Sequence, residues 1–469
     1  MPLHATRRDL LRTAACGFGS LALAGLESRA AGAPFLHHLP RARRVIFLFM
    51  AGGVSQVDSF DHKPLLDRED GRTRDFADAR NVARGKKTAQ SRVMKSLWAF
   101  RPRGASGKWT SDLFPEMGRH VDDLCFLHGM HTEGVAHGPA TLFLHTGTTT
   151  QIRPSMGAWV SYALGGESDA LPAFVSLAPS LGNGGPRNFG SGFLPAIHQG
   201  TPIGRASAPA TEDGIPFLDN PRRTATEQRA QLDLLRAFNR EQALRGDRAA
   251  EADSRLEAVI ESYELAWRMQ AVAPHVLDLS GETAETLDLY GIGTAETDGF
   301  GRRCLAARRL AEAGVRYIQV NYSDNTNNPA WDQHSNMPKH AEHARAVDRP
   351  IAGLLADLKR RGLLDDTLVW WGGEFGRNPF AEGNGTGRDH DPDGFTVWLA
   401  GGGVKAGHSH GATDEFGHKA VSGRTHMHDL HATVLHLLGL DHLRVTYRHA
   451  GRDFRLTDVS GEVIQPIIA

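Results

Sequence analysis

With 469 residues and 54 acidic against 53 basic side chains, the chain is long enough for one large domain or two ordinary ones and has no charge excess that would mark a nucleic-acid binder. No apolar run beyond the N-terminal segment reaches the ~20 residues that cross a bilayer as a helix. Of three cysteines, only Cys125 and Cys304 lie outside that segment; a disulfide between them is permitted but not indicated, and two buried thiols are the simpler expectation. Histidine is enriched, 24 in all with ten between His390 and His449, and a neutral imidazole is the commonest metal ligand.

The chain opens with Thr6-Arg7-Arg8-Asp9-Leu10-Leu11-Arg12 and a weakly apolar, glycine-interrupted run that ends in small residues near Ala30. This resembles a cleavable twin-arginine export signal; an amphipathic helix that stays on the protein is the alternative. The expected division is 1–33 as signal and 34–469 as the mature domain. The resemblance implies a partner in the twin-arginine machinery, folding before export, and residence in the periplasm or outside the cell.

In chain order, 45–50 (VIFLFM) predicts a central strand, apolar on both faces. A shorter strand at 124–127 precedes a helix over 137–145, and 173–177 reads as a strand inside a stretch, 165–216, whose Gly, Pro, Ser and Asn otherwise predict loop. Residues 224–270 are strongly helical with a break near Gly246. Helix 304–314 leads into strand 315–320, helix 341–361 into strand 367–371, then come strand 395–400 and a last helix over 426–438. This alternation predicts an α/β fold, a mainly parallel central sheet flanked by helices, with no internal repeat and no linker dividing it.

Four stretches stand in the order found in the alkaline phosphatase and sulfatase superfamily. They are VIFLFM running into Ala51-Gly52-Gly53, then 137–147 (HGPATLFLHTG), then 367–377 (TLVWWGGEFGR), then FTVWLAGGG with the helix at 426–440. The whole chain further resembles domain-of-unknown-function family 1501, through AGGVSQVDSFD at 51–61, RPSMGAWVSYALG at 153–165, Trp331-Asp332-Gln333-His334, GEFGR at 373–377 and GRDH at 387–390. The superfamily resemblance implies hydrolysis of sulfate or phosphate esters, with one or two divalent metals held by Asp and His at strand ends, and an anionic ester or a sulfated or phosphorylated glycan as substrate.

The candidate ligands are accordingly Asp58 after the first strand, with Asp61 near it, Asp332 and His334 in a later loop, Glu374 after 367–371, and Asp389 with His390. A mixed Asp, Glu and His set favours Zn, Mn or Fe over Ca. His137 falls at the position where the superfamily carries its Cys, Ser or Thr nucleophile, so it is read as a nucleophile or a ligand. It cannot become formylglycine. Arg377 is read as a clamp for an anionic substrate or as the ion-pair partner of Glu374. Structural readings stand beside these: Asp58 as a helix cap, Asp332 and His334 as pins for the Trp331 loop. His408, His410 and His418 read as exposed, and His426 and Asp429 as facing the site. A relative without catalysis, binding an anionic glycan or a protein partner, is the competing function.

Overall fold

The computed structural model describes residues 36–469 apart from 78, 84, 86, 217, 245–249 and 384. The expected export segment and the break at Gly246 lie outside them. The sheet is built from β1 (Arg44–Met50), β2 (Leu124–His131), β3 (Phe174–Leu177), β4 (Thr201–Ile203), β5 (Tyr317–Tyr322), β6 (Thr367–Gly372), β7 (Phe395–Ala400), β8 (His408–His410) and β9 (Thr425–His426). Its order is β8-β2-β7-β6-β1-β5-β3-β4, with β9 also on β2. Only β7 runs against its neighbours, β6 and β2. The remaining pairings are parallel.

β1 is central because it has nowhere polar to face: all seven residues are buried. Ile46, Leu48 and Met50 point into one apolar layer, Val45, Phe47 and Phe49 into the other, as the two-residue period of a strand requires. The first layer is closed by α5 (Asp298–Glu312) and α6 (Lys339–Arg360), the second by α1 (His137–Thr146), α2 (Met156–Leu164) and α7 (Met427–Leu437). α3 (Ala225–Leu244) and α4 (Ala250–Leu277) pack on each other, and Met269 and Ala273 of α4 join the first layer. No helix among the described residues is long and apolar enough to cross a membrane.

The expected elements are all present, with shifted ends. The strand expected at 124–127 continues to His131, and the helix expected to start at Cys304 starts six residues earlier at Asp298. The loop-like stretch 165–216 also holds β4. The polar histidine stretch is not an exposed loop: His408–His410 pairs in parallel with β2, and His418 is buried against Asp391. Cys125 and Cys304 are buried and unpaired, and burial pushes the Cys125 thiol up to about 12.

His145, His428 and His431 are buried and have no ion-pair partner among the described residues. Burial pushes His145 and His428 down to about 3 and His431 down to about 4. The unfolded chain takes up these protons near pH 6.5 and the folded chain does not. The fold therefore loses stability as pH falls from 6.5 toward 4, by about 1.4 kcal/mol per pH unit for each such group. Denaturant unfolding at pH 7, 6 and 5 is expected to show that decline, with a shallower slope for His145→Leu; an unchanged slope would refute the assignment of His145.

Candidate metal centre

The parallel strands deliver their loops to one rim of the sheet, where ligands of open α/β sheets gather. β1 ends at Met50, and Gly52 follows with φ +115°. A Cβ at Gly52 would lie 2.7 Å from the Asp332 nitrogen and 2.8 Å from that of Trp331, so only glycine lets the loop after β5 fold back this closely. Trp331 donates its amide to the Ala51 carbonyl at 3.1 Å, and its ring, wholly buried in the first apolar layer, anchors the residue beside it. Asp332 is thereby fixed over the end of β1. His137 opens α1, Glu374 follows β6, and His390 lies in a two-residue ribbon against Gly376–Arg377.

These loops bring four side chains to one point. Asp332 Oδ1 lies 3.1 Å from His137 Nε2, 2.9 Å from His334 Nε2 and 3.3 Å from His390 Nε2, while the last two nitrogens are 2.9 Å apart. Behind each ring stands an acceptor. His137 Nδ1 is 2.7 Å from Glu374 Oε1, His390 Nδ1 is 2.8 Å from the Val135 carbonyl, and His334 Nδ1 meets Glu382. A carbonyl only accepts, and the Glu374 carboxylate already accepts the Gly52 amide at 3.0 and 3.1 Å. Each Nδ1 therefore carries the hydrogen, and each Nε2 turns a lone pair inward.

Three lone pairs aimed at one carboxylate oxygen repel unless a positive charge sits among them. The buried His137 Nε2 has no hydrogen-bond partner, so its 3.1 Å approach to Asp332 is proximity without alignment. Where no cation is bound, protons take its place. Asp332 and Glu382 raise His334 to about 9, and for His137 the Asp332 and Glu374 carboxylates outweigh the downward push of burial. Burial favours protonated Asp332, yet His137, His334 and His390 hold its carboxyl well below the usual range. Burial keeps His390 low. A nitrogen-and-oxygen set with an orphaned lone pair fits a divalent ion of the Zn, Mn or Fe kind.

Asp332, His334 and His390 thus meet, and His137, read as a nucleophile position, joins them through Nε2. Glu374 does not reach the cluster directly; it holds His137 from behind. Asp389 lies one layer out, 3.6 Å from His334 Nδ1 and bound by Arg80 at 2.7 Å. Asp58 is not there at all. It is wholly buried in an ion pair with Arg388 at 2.7 Å and accepts the Ser55 hydroxyl at 2.6 Å. Asp61 pairs with Lys63 and accepts from Thr413. His426 and Asp429 form a capping box on α7 instead of facing the cluster.

Arg377 is no substrate clamp, and it does not pair with Glu374. Its side chain is 0 % exposed, and every guanidinium nitrogen is used: Nε on the Gly53 carbonyl at 3.0 Å, Nη1 on that of Arg388 at 3.1 Å, Nη2 on Gly52, Trp331 and, at 2.7 Å, Asp332 Oδ1. It positions Asp332 and ties three loops together. Sequence reasoning missed Glu382 and Arg80. Glu382 sits in the same Gly-rich loop as Asp389 and was findable there; nothing in the sequence around Arg80 signals its role.

Residues 42–468 match the model of a family described as protein of unknown function (DUF1501), and the chain belongs to that family. A search of curated proteins finds no match. Among solved structures, the chain is similar to the PsFucS1 sulfatase from Pseudoalteromonas sp., at 15 % identity over 85 % of this chain and 68 % of that one, with TM-score 0.36. It is also similar to the lipoteichoic acid synthase LtaP from Listeria monocytogenes, at 8 % identity over 90 % and 76 % with TM-score 0.35. A third is alkaline phosphatase from the Antarctic bacterium TAB5, at 10 % identity over 85 % and 98 % with TM-score 0.34.

Asp58→Ala would strand the buried Arg388 guanidinium. Denaturant unfolding is expected to show a loss of about 3–5 kcal/mol, with metal content per folded chain unchanged. A near-neutral variant that binds less metal would restore Asp58 as a ligand.

Proposed function

We propose that the chain is an exported, metal-dependent hydrolase of sulfate or phosphate esters, acting in the periplasm or outside the cell on an anionic ester such as a sulfated or phosphorylated glycan. The observation that carries the metal is the convergence of three imidazoles, each with Nδ1 committed outward, on Asp332 Oδ1. The order of motifs along the chain and the paired Arg7 and Arg8 supply the reaction class and the export route.

His137, Asp332, His334 and His390 would hold the ion. When bound, it supplies Lewis acidity toward an ester oxygen. The chain's own groups do the rest. Glu374 and the Val135 carbonyl keep the Nδ1 hydrogens of His137 and His390 in place, and Arg377 fixes the Asp332 oxygen. Orientation of this kind raises ligand basicity and preserves geometry. A second reading, a relative that binds an anionic glycan or a protein partner without catalysis, is favoured by one observation. His137, at the nucleophile position, has Nδ1 on Glu374 and Nε2 in the cluster, which leaves no nitrogen for attack.

Protein recovered after export in a twin-arginine-competent host is expected to contain one Zn, Mn or Fe per chain by elemental analysis. Asp332→Ala and His390→Ala should lose it, and chelation should lower the melting temperature of the wild type. Metal-dependent turnover of 4-nitrophenyl sulfate or phosphate supports the hydrolase; bound metal without turnover of either favours the binding relative. Protein that holds no metal and is not stabilised by any would sink both the centre and the hydrolase.

A further inference from the structure

Beside the first cluster lies a second set of ligand-type atoms, from His334, Glu382 and Asp389, that shares His334 with it. A second metal ion is the obvious occupant, but a cation is already there. Arg80 Nη1 donates to both oxygens of Asp389, at 2.7 and 2.8 Å, and stands 3.8 Å from Glu382. Another divalent ion so close to a guanidinium and to the first ion would be opposed by charge repulsion. Nor is one needed: a single divalent ion with Arg80 and Arg377 balances Asp332, Glu374, Glu382 and Asp389.

Arg80 differs from the other arginines of the centre in what it leaves open. Arg377 and Arg388 are 0 % exposed, with their donors taken by backbone carbonyls and by Asp332 and Asp58. Arg80 is 37 % exposed, and among the described residues its ion pairs and hydrogen bonds all run through one terminal nitrogen, Nη1, with no hydrogen-bond partner for Nε or Nη2. Its position is set, since Asp389 also accepts the His390 amide at 2.8 Å. A planar fork with two open donor nitrogens, held next to a metal centre, suits the oxygens of a tetrahedral anion.

We infer that Arg80 is the residue that receives the anionic group of the ligand, its guanidinium standing in place of a second metal ion. This rests on the metal reading above and adds the anion subsite to it. The test uses the full chain loaded with one equivalent of zinc, titrated calorimetrically with sodium sulfate and, separately, with inorganic phosphate; the stronger of the two identifies the oxyanion. Wild type is expected to bind an anion and, in excess zinc, still only one zinc per chain. Arg80→Ala should lose about tenfold in anion affinity at equal zinc content, and Arg80→Lys should keep part of it, with melting temperatures alike. Equal affinity in wild type and Arg80→Ala, no anion binding by the wild type, or two zinc ions in the wild type each overturn the inference while leaving the first metal site standing. A wild type that takes no zinc removes both.

Discussion

One carboxylate oxygen, Asp332 Oδ1, is approached by three imidazole nitrogens and one guanidinium, and the architecture of the rim follows from holding that crowd together. Electrostatics alone would scatter the lone pairs. They stay because each ring is gripped from behind, by Glu374, Glu382 or the Val135 carbonyl. The grips come from different loops, so the point of convergence exists only when all those loops are in place.

Buried arginines supply the mortar. Removing a guanidinium from water is expensive unless its donors are satisfied, and Arg377 and Arg388 are saturated by carbonyls from loops that follow β1 and β6. The same saturation disqualifies them as ligand receptors. Two glycines complete the joint. Gly52 admits the Trp331–Asp332 backbone, and at Gly387 a Cβ would lie 2.2 Å from the His334 carbonyl carbon. Close approach of backbones lets side chains as short as Asp332 and His334 meet partners distant in the chain.

Strand and helix positions were readable because their cause is local. VIFLFM is apolar at every position, which a two-sided sheet demands, and the segments before β5 and β6 carry helical periodicity. Short edge elements were not readable. His408–His410 has no apolar alternation and is a strand because β2 offers it a hydrogen-bonding edge. His418 has polar neighbours in the chain, but the fold encloses it against Asp391 and Phe76.

The sequence by itself determined the α/β class, the order of the elements and the residue types at the strand ends, including Asp332, His334 and His390. Tertiary structure alone decided membership of the cluster. It drew in His137 from the start of α1, set Glu374 and Asp389 behind the front rank, gave Asp58 to Arg388 and closed Arg377 off from solvent. Periodicity and spacing act over a few residues, whereas His137 and Glu374 are 237 residues apart in the chain and 2.7 Å apart in space. Only the folding of the loops fixes a distance of that kind.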